Sequence, residues 1–208
     1  CREAAKAYLE RCIEAPSCDE EALLASDIYA RKFGRKRTSA LTDQLRASEV
    51  IDIDEAFRGA PERAAVRWFH ERGQQAFRVE NGIWRTLFGL LFWDLLFEAE
   101  DAGVHSPFDR LPSALIERRF CRDYAAAIDE RLSLLDDPPV AKRHLLRTSV
   151  ARFGAPNGIF RWRQPVLDAM HVLIDRAPAD ALRQVLLQFC DDYLAMRHGY
   201  PDLMVVDD

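Results

Sequence analysis

The run Leu87-Phe88-Gly89-Leu90-Leu91-Phe92-Trp93-Asp94-Leu95-Leu96-Phe97 limits what this chain can fold into more than any other feature. On a helix it is apolar nearly all round, so it has no face to give to water and must lie inside a domain. It is too short to span a bilayer and is interrupted by Asp94, which argues against a membrane helix. Trp93 is expected in the core, and Asp94, polar among apolar neighbours, is expected to satisfy a buried partner rather than bind metal. A chain of 208 residues, 49% hydrophobic and 30% charged, has enough material to build a sizeable core around such a helix.

The rest of the chain reads as helices of ordinary length. Ala4, Ala7, Tyr8 and Ile13 give one rough helical stripe. Ala22, Leu23, Ser26 and Tyr29 give another, after the acidic start Asp19-Glu20-Glu21. Gly34 ends that second helix, Thr38-Ser39 suit the cap of a third, and Pro61 opens a further one running to about Gly73. Pairs of this size suggest stacked helical hairpins over residues 1–75, although no repeat period is clean. The buried helix is expected over 80–100, with others over 114–135 and 141–151, Pro138-Pro139 breaking between them. A short helix follows Pro165. Pro178 opens the last one, Leu182, Val185, Leu186, Phe189 and Tyr193 line it, and Gly199 closes it. Tyr200-Pro201-Asp202 then leads into Leu203-Met204-Val205-Val206, the one convincing strand. A strand followed by Asp207-Asp208 resembles the entrance to a hairpin. The chain is therefore expected to be a piece of a longer polypeptide, with this strand lacking its neighbour and fraying.

A net charge of −5 excludes a wholly basic nucleic-acid coat but leaves room for a local basic groove. The five cysteines are odd in number and show no CxxC spacing, which points to buried or idle thiols in a reducing, intracellular compartment. No HExxH, GxxxxGK[ST] or GxSxG pattern is present, and the five histidines stand singly. That leaves the carboxylates. Asp202, pinned by Pro201 at the mouth of a strand, suits a divalent cation; locally, a turn aspartate capping loop amides accounts for it better. Glu80 stands at the start of the buried helix, where the helix dipole alone would favour it. Five basic residues, Arg31, Lys32, Arg35, Lys36 and Arg37, fall within seven positions. They suit DNA phosphates, and also the C-terminal end of a solvated helix. Arg197 is either a phosphate contact or a solvated surface cation.

Read together, two segments resemble the Fanconi-associated nuclease family. Glu80-Asn81-Gly82-Ile83-Trp84-Arg85-Thr86-Leu87-Phe88-Gly89-Leu90-Leu91-Phe92-Trp93-Asp94 is similar to the family's glutamate-bearing helix, and Phe120, Arg122 and Arg131-Leu132 resemble its next helix less tightly. Gly199-Tyr200-Pro201-Asp202-Leu203-Met204-Val205-Val206 resembles the opening G-x-PDL strand of the family's VRR-NUC domain, a PD-(D/E)xK-type nuclease core. The resemblance implies a mainly α chain: a helical-repeat-like, TPR-like region over 1–75, then the helical part and first strand of the α/β nuclease core over 76–208. It implies a structure-specific DNA nuclease cutting near 5′ flaps and branched junctions in interstrand cross-link repair, dependent on Mg²⁺ or Mn²⁺. Asp202 would be the central metal ligand and Glu80 a second one. Arg31, Lys32, Arg35, Lys36, Arg37 and Arg197 are the candidate DNA contacts. The family pattern then needs an E-x-K strand, which would follow Asp208, so residues 1–208 alone are expected to be inactive. The protein would work in the cytoplasm at the nucleoid of a bacterium, or in the nucleus of a eukaryote. The competing expectation is a non-catalytic helical-repeat module that binds DNA or a protein, with Glu80 and Asp202 as structural carboxylates.

Overall fold

The computed structural model describes residues 2–34, 38–39, 43–44, 46–48, 50–99 and 111–207. The chain divides into two compact units, residues 1–52 and 53–208.

In the first unit, α1 (Arg2–Glu14) packs against α2 (Asp19–Phe33) as a helical pair. Its small core is Leu9, Cys12, Ile13 and Ala25, backed by Ile28, Tyr29 and Phe33. The helices are where the sequence places them, and each expected stripe is covered only in part. Ile13 and Ser26 are buried and Tyr29 packs on the core, whereas Ala4, Ala7, Tyr8 and Leu23 face water. A helix so rich in Ala, Glu and Arg carries a weak apolar stripe, and the partner helix decides which edge of it is covered. Gly34, at φ 97°, ends α2 with its N–H on the Ala30 carbonyl. The helix expected after Thr38-Ser39 lies largely outside the described residues, as do Arg35, Lys36 and Arg37.

The second unit runs α3 (Pro61–His70), β1 (Gln75–Arg78), α4 (Gly82–Leu91), α5 (Trp93–Phe97), α6 (Ser113–Ile116), α7 (Phe120–Asp123), α8 (Ala125–Ser133), α9 (Pro138–Arg152), α10 (Gln164–Arg176), α11 (Ala179–Asp191), α12 (Tyr193–Met196) and β2 (Leu203–Val206). Thus α3, expected with the N-terminal hairpins, packs on β1 of this unit. The apolar run is central, as its composition requires. Leu87, Phe88, Leu90, Leu91, Phe92 and Leu96 have no accessible surface. Phe88 is ringed by Phe92, Phe120, Phe189 and Tyr193 at centroid distances of 5.4, 6.0, 5.4 and 5.6 Å. Trp93 is buried as expected, and Asp94 takes its partner from α8, accepting from Arg131 Nη2 at 2.6 Å.

Several helix limits differ from the sequence reading. The buried helix begins at Gly82 rather than Glu80 and is interrupted at Phe92, whose φ of −111° and ψ of 19° leave the helical region. Pro138 and Pro139 form the first turn of α9, where a missing N–H costs nothing, and the Asp137 side chain accepts from the Val140 N–H. The last helix stops at Asp191 rather than Gly199. Asp192 leaves helical geometry and its carboxylate caps α12, accepting from the Ala195 N–H at 3.1 Å.

The largest correction concerns the sheet. Instead of one strand at the chain's end, the described residues hold two, and β2 is paired. β1 and β2 run antiparallel in the register Gln75↔Val206, Ala76↔Val205, Phe77↔Met204 and Arg78↔Leu203. A two-stranded ribbon is marginal alone. Here the buried Ala76 and the adjoining Val79 tie it to the unit, and His70 Nε2 donates to the Ala76 carbonyl at 3.1 Å.

Candidate functional site

The ribbon brings the backbone of the two singled-out residues together. Beyond the Arg78↔Leu203 pair, the Asp202 carbonyl accepts from the N–H groups of both Val79 and Glu80, at 2.9 and 3.1 Å. The chain then turns sharply, with the Gly82 N–H on the Val79 carbonyl at 2.9 Å. Glu80 sits in that turn at φ 46°, a left-handed conformation that few side-chain-bearing residues adopt. Asn81 draws the other segment in, its Oδ1 accepting from the Tyr200 N–H across 119 positions of sequence. Tyr200 is in turn wedged between Trp84 and Phe189, at 5.7 and 5.8 Å. Burial pushes its phenol pKa up.

The result is two exposed carboxylates on adjoining backbone, neither with a side-chain hydrogen bond among the described residues. Hard oxygen donors left free in this way suit a hydrated divalent cation. Among the described residues no group of three or more His, Cys, Asp or Glu gathers, so these two would hold such an ion largely through its waters.

Beside Glu80 opens a cleft of about 320 Å³, whose lining includes Glu80, Arg85, Arg161, Arg163 and His198. The sequence reading passed over its cations. The available signal was the alternation Phe160-Arg161-Trp162-Arg163, apolar then basic, which is what a segment lying on a core would show. Of the remaining candidates, Arg31 and Lys32 are exposed in the last turn of α2, where the Arg31 Nε donates to the Asp27 carbonyl at 3.3 Å. Arg197 is half-buried, its Nε without a partner among the described residues. The four described cysteines are free thiols; burial raises the pKa of Cys190 strongly. No described helix is long and apolar enough to cross a membrane.

No protein-family model matches the chain. Known proteins do. It is 28% identical over 210 residues to the Fanconi-associated nuclease 1 homolog of Pseudomonas aeruginosa, covering 94% of this chain and 37% of that protein. The homolog of Oryza sativa is 25% identical over 146 residues, covering 69% of this chain and 15% of its own. In fold, the chain is similar to paFAN1 in its crystal structure bound to 2nt 5′-flap DNA with a gap, at a TM-score of 0.66 and 26% identity. That match covers 98% of this chain and 38% of paFAN1. The chain thus spans well under half the length of the relatives it matches. In both sequence and fold, this mainly helical chain is similar to one part of the Fanconi-associated nuclease 1 homologues.

Proposed function

We propose that this chain contributes Glu80 and Asp202 as metal ligands to the active site of a structure-specific DNA nuclease, acting on branched and 5′-flap DNA in interstrand cross-link repair. The observation that carries the reading is the hydrogen bonding of Glu80 to Asp202 through the β1–β2 ribbon, which joins the two motifs from opposite ends of the second unit. The DNA-bound relative supports the substrate class. Mg²⁺ or Mn²⁺ held by the two carboxylates would neutralise phosphate charge and activate a water. The residues of this chain would position that ion. The turn at Glu80 and the proline before Asp202 hold both carboxylates on backbone tied to a packed core. Arg31, Lys32, Arg35, Lys36, Arg37 and Arg197 remain proposed phosphate contacts. Two carboxylates hold Mg²⁺ weakly, so residues 1–208 alone should not cleave DNA.

The test is Mn²⁺ binding by titration calorimetry, followed by cleavage of a 5′-flap DNA. Glu80→Gln and Asp202→Asn should each lower Mn²⁺ affinity about tenfold or more, the order seen when a metal site loses a supporting group. A longer polypeptide carrying the E-x-K strand should cut the flap, and Asp202→Asn should abolish cutting. Unaltered Mn²⁺ binding in both variants, or cleavage that survives Asp202→Asn, would return the chain to the non-catalytic module.

A further inference from the structure

The cleft beside Glu80 has a chemical character of its own. Three guanidinium groups, Arg85, Arg161 and Arg163, line it with His198 against a single carboxylate. The three arginines do not share one role. Arg85 is tied down, its Nε donating to the Ile159 carbonyl at 2.5 Å, and so forms part of the wall. Arg161 and Arg163 are exposed, and neither guanidinium has a hydrogen-bond or ion-pair partner among the described residues. Elsewhere in the second unit Arg119 pairs with Asp123 and Lys142 with Asp175.

The backbone that presents them is held with care. Asn157 Oδ1 accepts from the N–H groups of Ile159 and Phe160, at 3.1 and 2.9 Å, closing the loop before them. Phe160 is buried, and Trp162 packs on Trp93 and Phe153 while its Nε1 donates to the Ala155 carbonyl at 2.9 Å. Alternate residues therefore anchor the segment, which directs Arg161 and Arg163 to the cleft. Two guanidinium forks without carboxylate partners, on an anchored segment, match the oxygens of a phosphodiester.

We propose that Arg161 and Arg163 bind an internal backbone phosphate of the DNA strand that reaches Glu80 and Asp202. The choice of ligand rests on the nuclease reading: a proposed metal-binding carboxylate borders the same cleft, and cleavage acts on an internal phosphodiester. The segment is a positioning device that sets which phosphate faces the carboxylates.

The experiment is fluorescence anisotropy of a labelled 5′-flap DNA with the full chain in EDTA, at several salt concentrations. Arg161→Ala/Arg163→Ala should weaken binding about tenfold, and its salt slope should fall by about 0.7 to 0.9, the counterion release of the one phosphate lost. Arg161→Lys/Arg163→Lys should recover most of the slope but less of the affinity, since a point charge replaces the fork. An Arg143→Ala control, at an exposed cation outside the cleft lining, should bind as tightly as the unaltered chain, so loss of the phosphate site is told apart from a general loss of positive charge. Unchanged affinity and slope in the alanine variant, with its melting curve intact, would overturn the assignment while leaving the nuclease reading standing. A loss seen only when the flap carries a terminal 5′-phosphate would also overturn it, because the ligand would then be a chain end. Absence of DNA binding by the unaltered chain would overturn both.

Discussion

Glu80 holds its place at a cost in backbone strain. At φ 46° its Cβ crowds the backbone, which costs about 1 kcal/mol or more for a residue other than glycine. Glycine is the ordinary occupant of such a turn, and a carboxylate there is stabilised only by the hydrogen bond of its N–H to Asp202 and the ribbon around it. Glu80→Gly should therefore raise stability in urea unfolding by on the order of 1 kcal/mol, less the added chain entropy of glycine. Glu80→Ala, which keeps the strain, should gain nothing. A fall in stability for the glycine variant would show that the side chain contributes to the fold and is not held against it.

At the scale of elements, α4 illustrates how one small residue allows two pieces of the site to meet. A Cβ at Gly89 would lie 2.6 Å from two ring carbons of Phe160, closer than any real contact. The glycine thus lets the Phe160–Arg163 segment lie directly on the central helix. Gly89→Ala should push that ring aside and cost about 1–3 kcal/mol by overpacking, despite alanine's better helix propensity. The expected readout is a lower urea midpoint together with weaker flap-DNA binding. A gain in stability would mean that the ring moves freely and that the close approach has no structural purpose. The glycine inside the apolar run was legible in the sequence; its reason was not, because Phe160 is remote in the chain.

For the molecule as a whole, acid should unfold the second unit earlier than its surface charge suggests. Burial is the main cause that lowers the pKa of His144, although its Nε2 donates to the Leu91 carbonyl at 3.3 Å. Burial also lowers that of His171, with Lys142 adding repulsion. Both are depressed below the ordinary 6.5, so between the folded and unfolded values the unfolded chain binds more protons. The stability they confer is complete above about pH 7 and is lost as pH falls through 6.5 toward the lower folded values. Urea midpoints measured from pH 8 to pH 5 should decline, and His144→Gln/His171→Gln should flatten that decline. A decline unchanged in the double variant would assign it to other groups.

The sequence alone determined what local chemistry can determine. An all-round apolar run has to be buried, Asp94 inside it has to find a partner, and a proline-aspartate pair before Leu203–Val206 has to end in a strand; all three hold. The Glu80 and Asp202 motifs were legible as candidates through their resemblance to a known family, which is likewise read in place. What stayed hidden was everything supplied by a distant partner. Gln75–Arg78 has no β-branched residue and becomes a strand only because β2 pairs with it from the far end of the chain. That pairing is how the backbone of Glu80 comes to Asp202, an approach their shared metal role in the resemblance implied without giving its means. The basic cleft was equally out of reach, since Arg85, Arg161 and Arg163 are ordinary surface cations in the sequence and become a cluster only when the loop lies on α4. Helix propensity and burial act over a few neighbouring residues; strand pairing and the clustering of charge depend on where the packed core carries the chain.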